Sequence, residues 1–132
     1  MDVQAKIITQ FIRDLSFENP QGPMSFRAQT EKPEIKANID VKATNQKDTN
    51  VFEIELNINV AAIQNEKSMY LIDLKYVGIL EIENLTDDIR EPYLLVECPR
   101  LIFPFARRII YDLHADGGLP PLLLDPVNFA KL

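Results

Sequence analysis

Four stretches of the chain alternate apolar and polar residues with a period of two, the spacing of a half-buried β-strand. In residues 7–18, Ile7, Phe11, Leu15 and Phe17 share one face, with Asp14, Ser16 and Glu18 on the other and Ile8 and Ile12 at its start. Residues 35–43 set Ile35, Ala37, Ile39, Val41 and Ala43 against Lys36, Asn38, Asp40 and Lys42. Residues 51–63 set Phe52, Ile54, Leu56, Ile58 and Val60 against Glu53, Glu55, Asn57 and Asn59. Residues 68–82 differ. Tyr70, Ile72, Leu74, Tyr76, Leu80 and Ile82 form one apolar face, yet Met69, Leu71, Val77 and Ile79 also stand on the other, around Asp73 and Lys75. A strand apolar on both sides is normally covered on both sides. One protomer with few helices does this poorly, so the fourth strand predicts self-assembly through Tyr70, Ile72, Leu74 and Tyr76.

The connections differ in kind. Gln64-Asn65-Glu66-Lys67 is a compact hairpin turn. Asn19-Pro20-Gln21-Gly22-Pro23 stops the first strand, and the span from there to Pro33 is long for a hairpin. It reads as a functional loop or a crossover. Beyond Asp88 the period changes. Glu91–Glu97 suggests a short helical turn, and Phe103–Asp116 a longer helix with Phe105, Ile109, Ile110 and Leu113 on one side and Arg107 and Arg108 outward. Gly117-Gly118 ends it. Leu119-Pro120-Pro121-Leu122-Leu123-Leu124 is extended and apolar, and Asp125-Pro126 offers a start for a further helix.

Composition narrows the function. At 132 residues with 46% hydrophobic content the chain is one foldable domain, 1–132. A net charge of −6 argues against nucleic-acid binding and weakly favours a basic partner. The single Cys98 forbids an internal disulfide and suits a reducing cytoplasm. No apolar run reaches membrane-spanning length, and the start of the chain lacks the pattern of a secretory signal.

Catalytic chemistry is not found. His114 is the one histidine, and no G-x-S-x-G accompanies it. It reads as a polar residue near a helix C-terminus. Cys98 lies beside Glu97, which opposes thiolate formation, so it reads as a small buried apolar residue. Glu53 with Glu55 and Glu81 with Glu83 repeat at the spacing of any solvent-facing strand. Gly22, Gly78, Gly117 and Gly118 form no phosphate loop. The expectation is a binding protein, not an enzyme, with no cofactor and no metal.

Three motifs then carry a resemblance. Ile12-Arg13-Asp14-Leu15-Ser16-Phe17-Glu18-Asn19-Pro20, Cys98-Pro99-Arg100-Leu101-Ile102-Phe103-Pro104-Phe105-Ala106-Arg107, and Leu119-Pro120-Pro121-Leu122 through Asp125-Pro126-Val127-Asn128-Phe129 resemble the SecB protein-export chaperones, in that family's order. The resemblance implies an α+β fold: a four-stranded antiparallel sheet with a crossover between its first two strands, helices on one face, and a homotetramer built as a dimer of dimers. It implies a cytoplasmic chaperone that binds unfolded precursor proteins and hands them to SecA, with no membrane insertion of its own. Family members continue past the Asn-Phe motif with a second helix, whereas this sequence stops at Leu132.

Candidate client-groove residues are Phe17, Met24, Phe26, Phe105 and Phe129, and an aromatic in the long loop reads equally as a plug on the core. The family's SecA surface corresponds here to Asp14, Glu18, Leu71 and Asp73, which alternation would equally allow as an ordinary solvated face. The competing functions are a SecB-like chaperone dedicated to one client, such as the antitoxin of a toxin–antitoxin pair, and a plain oligomeric adaptor.

Overall fold

The computed structural model describes residues 2–20 and 33–132. Strands β1 (Gln4–Glu18), β2 (Glu34–Asn45), β3 (Val51–Gln64) and β4 (Lys67–Glu83) form one antiparallel sheet in the order β1-β4-β3-β2. The first and second strands therefore sit on opposite edges, the crossover order that the resemblance implies. Gln64 pairs with Lys67, and Asn65 and Glu66 both take positive φ, 52° and 65°. That is the tight reversal whose twist matches a hairpin.

The even-numbered residues of β3 and β4 face inward. Ile54, Leu56, Ile58, Leu74 and Leu80 are wholly buried. Their cover is a helical run: α1 (Asp87–Pro92), a wide π turn (Tyr93–Glu97) and α2 (Cys98–Asp116). On α2 the buried stripe is Cys98, Ile102, Ala106, Ile110 and His114, one residue every fourth position. Gly78 makes the close approach possible, because a Cβ there would lie 2.7 Å from Cγ2 of Ile102.

The helix thus begins five residues before the expected Phe103. Pro104 reads in sequence as a first-turn proline, but it is Pro99 that falls in the first turn, where a helix needs no N–H from it, and Pro104 lies inside the helix. The buried stripe is centred on Ile102, Ala106 and Ile110, so Phe105, expected inward, lies off it and is 45% exposed. After Gly118 the chain runs without regular structure to Asn128, whose Oδ1 accepts from the Ala130 amide and caps a single 3-10 turn, Phe129–Lys131. Asp125-Pro126 opens no helix.

Two further expectations are corrected. Tyr70, Ile72, Leu74 and Tyr76 are buried inside the protomer, between the sheet and α2. The helical run covers β4 on this side, so within the protomer these residues are core and offer little exposed surface for the assembly expected through them. The outer face of β4 is the open one, with Leu71 exposed and Ile79 half-buried. On β1, bulges between Ile7 and Thr9 and between Ile12 and Asp14 shift the pairing register. Each extra residue reverses the alternation. Ile12, opposite Tyr76, consequently faces inward, and Phe11, opposite Val77, faces outward.

Candidate functional site

Helix α2 packs chiefly over β3, β4 and β1, whereas the helical contact of β2 is chiefly with the π turn. The inner face of β2 therefore keeps apolar residues that the helix leaves uncovered: Ile35 is 40% exposed, and Ile39, Val41 and Ala43 are half-buried. Its other wall is the extended segment after α2. Ile35, Ala37 and Ile39 line one side of an open cavity of about 400 Å³, facing Leu122, Leu123 and Val127. A second hollow of about 430 Å³ lies at Ala43, against Asp87, Arg90, Glu91, Leu94 and Leu95. Arg90 is held there with its guanidinium 5.1 Å from the Phe52 ring centre. From Ile35 to Ala43 is about 27 Å of strand, at roughly 3.4 Å per residue. This length accepts a short extended polypeptide, and the lining at Ile35–Ile39 favours apolar side chains without fixing their identity.

Of the phenylalanines named from sequence, Phe17, Phe105 and Phe129 do not line that groove. Phe17 is half-buried with its ring against Gly117, Phe129 is buried edge-on to Phe103 at 5.8 Å, and Phe105 points outward from α2. Met24 and Phe26 lie outside the described residues. The residues missed, Ile35, Ala37, Leu122, Leu123 and Val127, left a signal in sequence. The second strand has a clean apolar face, and the proline-bearing Leu119–Leu124 segment is too apolar for a free loop.

The SecA-type residues do share a surface. On the outer face of the sheet Glu18 pairs with Leu71, Ser16 with Asp73, and Asp14 with Lys75. Asp14, Glu18, Leu71 and Asp73 are all exposed on two adjacent strands. Lys75 offsets part of the acidity beside Asp14, and Asn59 of β3 donates a hydrogen bond to Asp73. One step along the sheet, Arg13 crosses β4 to bond Glu53 at 3.0 Å and Glu55 at 2.7 Å. Those hydrogen bonds hold the Glu53 carboxyl below the usual carboxylate range, and Val77, on this outer face, is fully buried.

The side chains a reaction would call on are occupied structurally. His114 is buried, its Nδ1 2.8 Å from the Ile110 carbonyl and its Nε2 2.7 Å from the Tyr70 hydroxyl. Burial, with Glu97 adding to it, pushes the Cys98 thiol up to about 12. Among the described residues no cluster of His, Cys, Asp or Glu is arranged to hold a metal, and no helix is long and apolar enough to cross a membrane.

Comparison with known proteins agrees with this architecture. Curated protein-export SecB proteins of Maricaulis maris and Afipia carboxidovorans are each 46% identical to the chain across 98% of its length, which spans 74% and 80% of theirs. The SecB-like chaperone Rv1957 of Mycobacterium tuberculosis, solved with a ChAD peptide from the Rv1956 HigA1 antitoxin, superposes with a TM-score of 0.77. At 15% identity, covering 93% of this chain and 90% of that one, it shows a shared fold. The family described as preprotein translocase subunit SecB matches residues 1–132, and this chain belongs to the SecB family.

Proposed function

We propose that the chain is a cytoplasmic export chaperone that binds unfolded precursor proteins, keeps them competent for translocation and delivers them to SecA. The observation that carries the reading is the open apolar groove between β2 and residues 122–127. Each client side chain buried there contributes roughly 1.5–3 kcal/mol, and ordering a flexible client offsets much of that. A single groove therefore binds weakly, and several grooves on one assembly bind a long client tightly. A homotetramer, arranged as a dimer of dimers, supplies them. The apolar surface available for assembly is on β1 and α2, where Ile8, Ile12, Leu15, Leu101 and Phe105 are 37–51% exposed.

SecA docking is assigned to Asp14, Glu18, Leu71 and Asp73. Their placement on one flat sheet face supports a basic partner, since opposite charge speeds encounter and fixes orientation. Single exposed pairs are worth about 0–1 kcal/mol, so the surface acts as a group. Neither activity requires a cofactor or a bond-making step.

The test has two arms. The purified protein should slow aggregation of a denatured substrate without ATP, and Asp14→Lys/Glu18→Lys should weaken SecA binding about tenfold while leaving that holding activity intact. Raising salt should reproduce the loss. Failure of the wild-type protein to suppress aggregation refutes the chaperone reading. Equal, salt-insensitive SecA affinities refute the docking surface alone.

A further inference from the structure

The groove has one wall on a strand and one on a segment with no regular structure, so something must fix the second wall. Leu122, Leu123 and Val127 follow Gly117-Gly118 within ten residues. Two contacts pin that turn. The Asn19 side-chain amide, just past the end of β1, donates a 3.0 Å hydrogen bond to the Gly117 carbonyl. The Phe17 ring lies against Gly117, where an added Cβ would meet its Cζ and Cε2 at 2.6 and 2.9 Å. Gly118 then turns the chain with φ of +68°, and the Leu119 amide returns a 2.8 Å bond to the His114 carbonyl, with Leu119 buried.

We infer that Asn19 and Gly117 are positioning residues for the client groove: their contact sets where the wall formed by residues 119–127 leaves α2. The inference rests on the chaperone reading above and adds to it two residues that line no part of the groove. The contact contributes little net stability. Asn19 is half-buried, and its amide oxygen, buried too, has no hydrogen-bond partner among the described residues, a cost that opposes the gain from its N–H bond. Its effect is geometric. Carbonyls at a helix C-terminus lack intrahelical partners, and a side-chain donor there selects one direction for the departing chain. The glycine is required because the aromatic ring occupies the space of any side chain.

Asn19→Asp is the discriminating variant. It keeps the side-chain shape, removes the donor and places negative charge at the negative end of α2. Gly117→Ala attacks the same contact from the other side. The experiment measures amide hydrogen exchange by segment, together with binding of a permanently unfolded probe, reduced and alkylated lactalbumin. Both variants should speed exchange in residues 119–127, leave β3 and β4 protected, and weaken probe binding about tenfold, equivalent to about 1.4 kcal/mol. Asn19→Asp with unchanged exchange in 119–127 overturns the inference. So does faster exchange there with unchanged probe binding, or loss of protection spread over the whole sheet. A wild-type protein that ignores the probe sinks the chaperone reading, and the exchange pattern still judges the positioning role.

Discussion

The Tyr70 hydroxyl donates to Nε2 of His114 across 2.7 Å, tying β4 to the last turn of α2 inside the core. The direction of the bond follows from the other ring nitrogen. Nδ1 faces the Ile110 carbonyl at 2.8 Å and must carry the proton, which leaves Nε2 as acceptor. Burial also pushes the Tyr70 hydroxyl up to about 12, so it stays a donor through the neutral range. Tyr70→Phe keeps the packing and strands a buried acceptor, at a cost of about 1–3 kcal/mol. Urea denaturation should show the midpoint falling with the slope unchanged. An unaltered midpoint removes the pair from the stabilising contacts.

The Arg13–Glu53 contact makes a pH prediction. Glu53 is held below its ordinary value chiefly by the hydrogen bond from Arg13. A depressed carboxyl stabilises the fold at neutral pH, and that contribution is lost as acid carries the pH below the unfolded value of about 4.3 towards the folded one. Arg13→Met should narrow the stability difference between pH 7 and acid, and only slightly for so exposed a pair. Parallel titrations of wild type and variant check it. A steeper acid dependence in the variant contradicts the assignment.

Assembly and folding should respond to different residues. Leu74 is wholly buried, so Leu74→Asp leaves an unpaired charge in the core and should unfold the protomer, at several kcal/mol. Phe105 is exposed on α2, and Phe105→Asp should retain the far-ultraviolet circular dichroism of the wild type while lowering its sedimentation coefficient. A folded, dissociated Leu74→Asp protein would return the interface to β4.

Cys98 should be chemically silent in the folded state. Its thiol is pushed up to about 12, whereas an unfolded cysteine ionises near 8.5. Alkaline pH between these values favours the unfolded chain, so stability falls as pH rises through that window. At pH 8 a thiol reagent should label the protein only through unfolding, more than about a hundredfold slower than in denaturant, as a core position opening only with the fold requires. Rapid labelling of native protein would place the thiol at the surface.

The sheet was legible in sequence because β2, β3 and β4 are read by burial alone. Their apolar residues alternate, and the observed strands begin and end within two residues of the expected ones. The helix was half legible. Cys98, Ile102, Ala106, Ile110 and His114 form its buried stripe, but His114 is not a conventional core residue, and Pro99 hides the first turn. Of the candidate sites, the acidic face was legible because Asp14 and Glu18 lie on the regular stretch of β1 that pairs residue by residue with β4. The groove was not, since its two walls are more than 80 residues apart in sequence and only the fold brings Ile35 to Leu122. The fourth strand misled because periodicity shows that two faces are apolar and not which one a helix of the same chain will take.

The two bulges of β1 give the strand spare length at two fixed places. One irregularity advances the phase of the side chains by a half-period, and the second restores it, so the strand's two ends agree and only its middle is inverted. Deleting Ile8, the unpaired residue of the first bulge, would leave Ile7 opposite Leu80 and Thr9 opposite Ile79 in an unbroken ladder, with both still on their present sides. Deleting Arg13 would do the same for Ile12 opposite Tyr76 and Asp14 opposite Lys75. The strand therefore holds two residues of length that it can lose without reversing a face, a property that substitutions do not reveal.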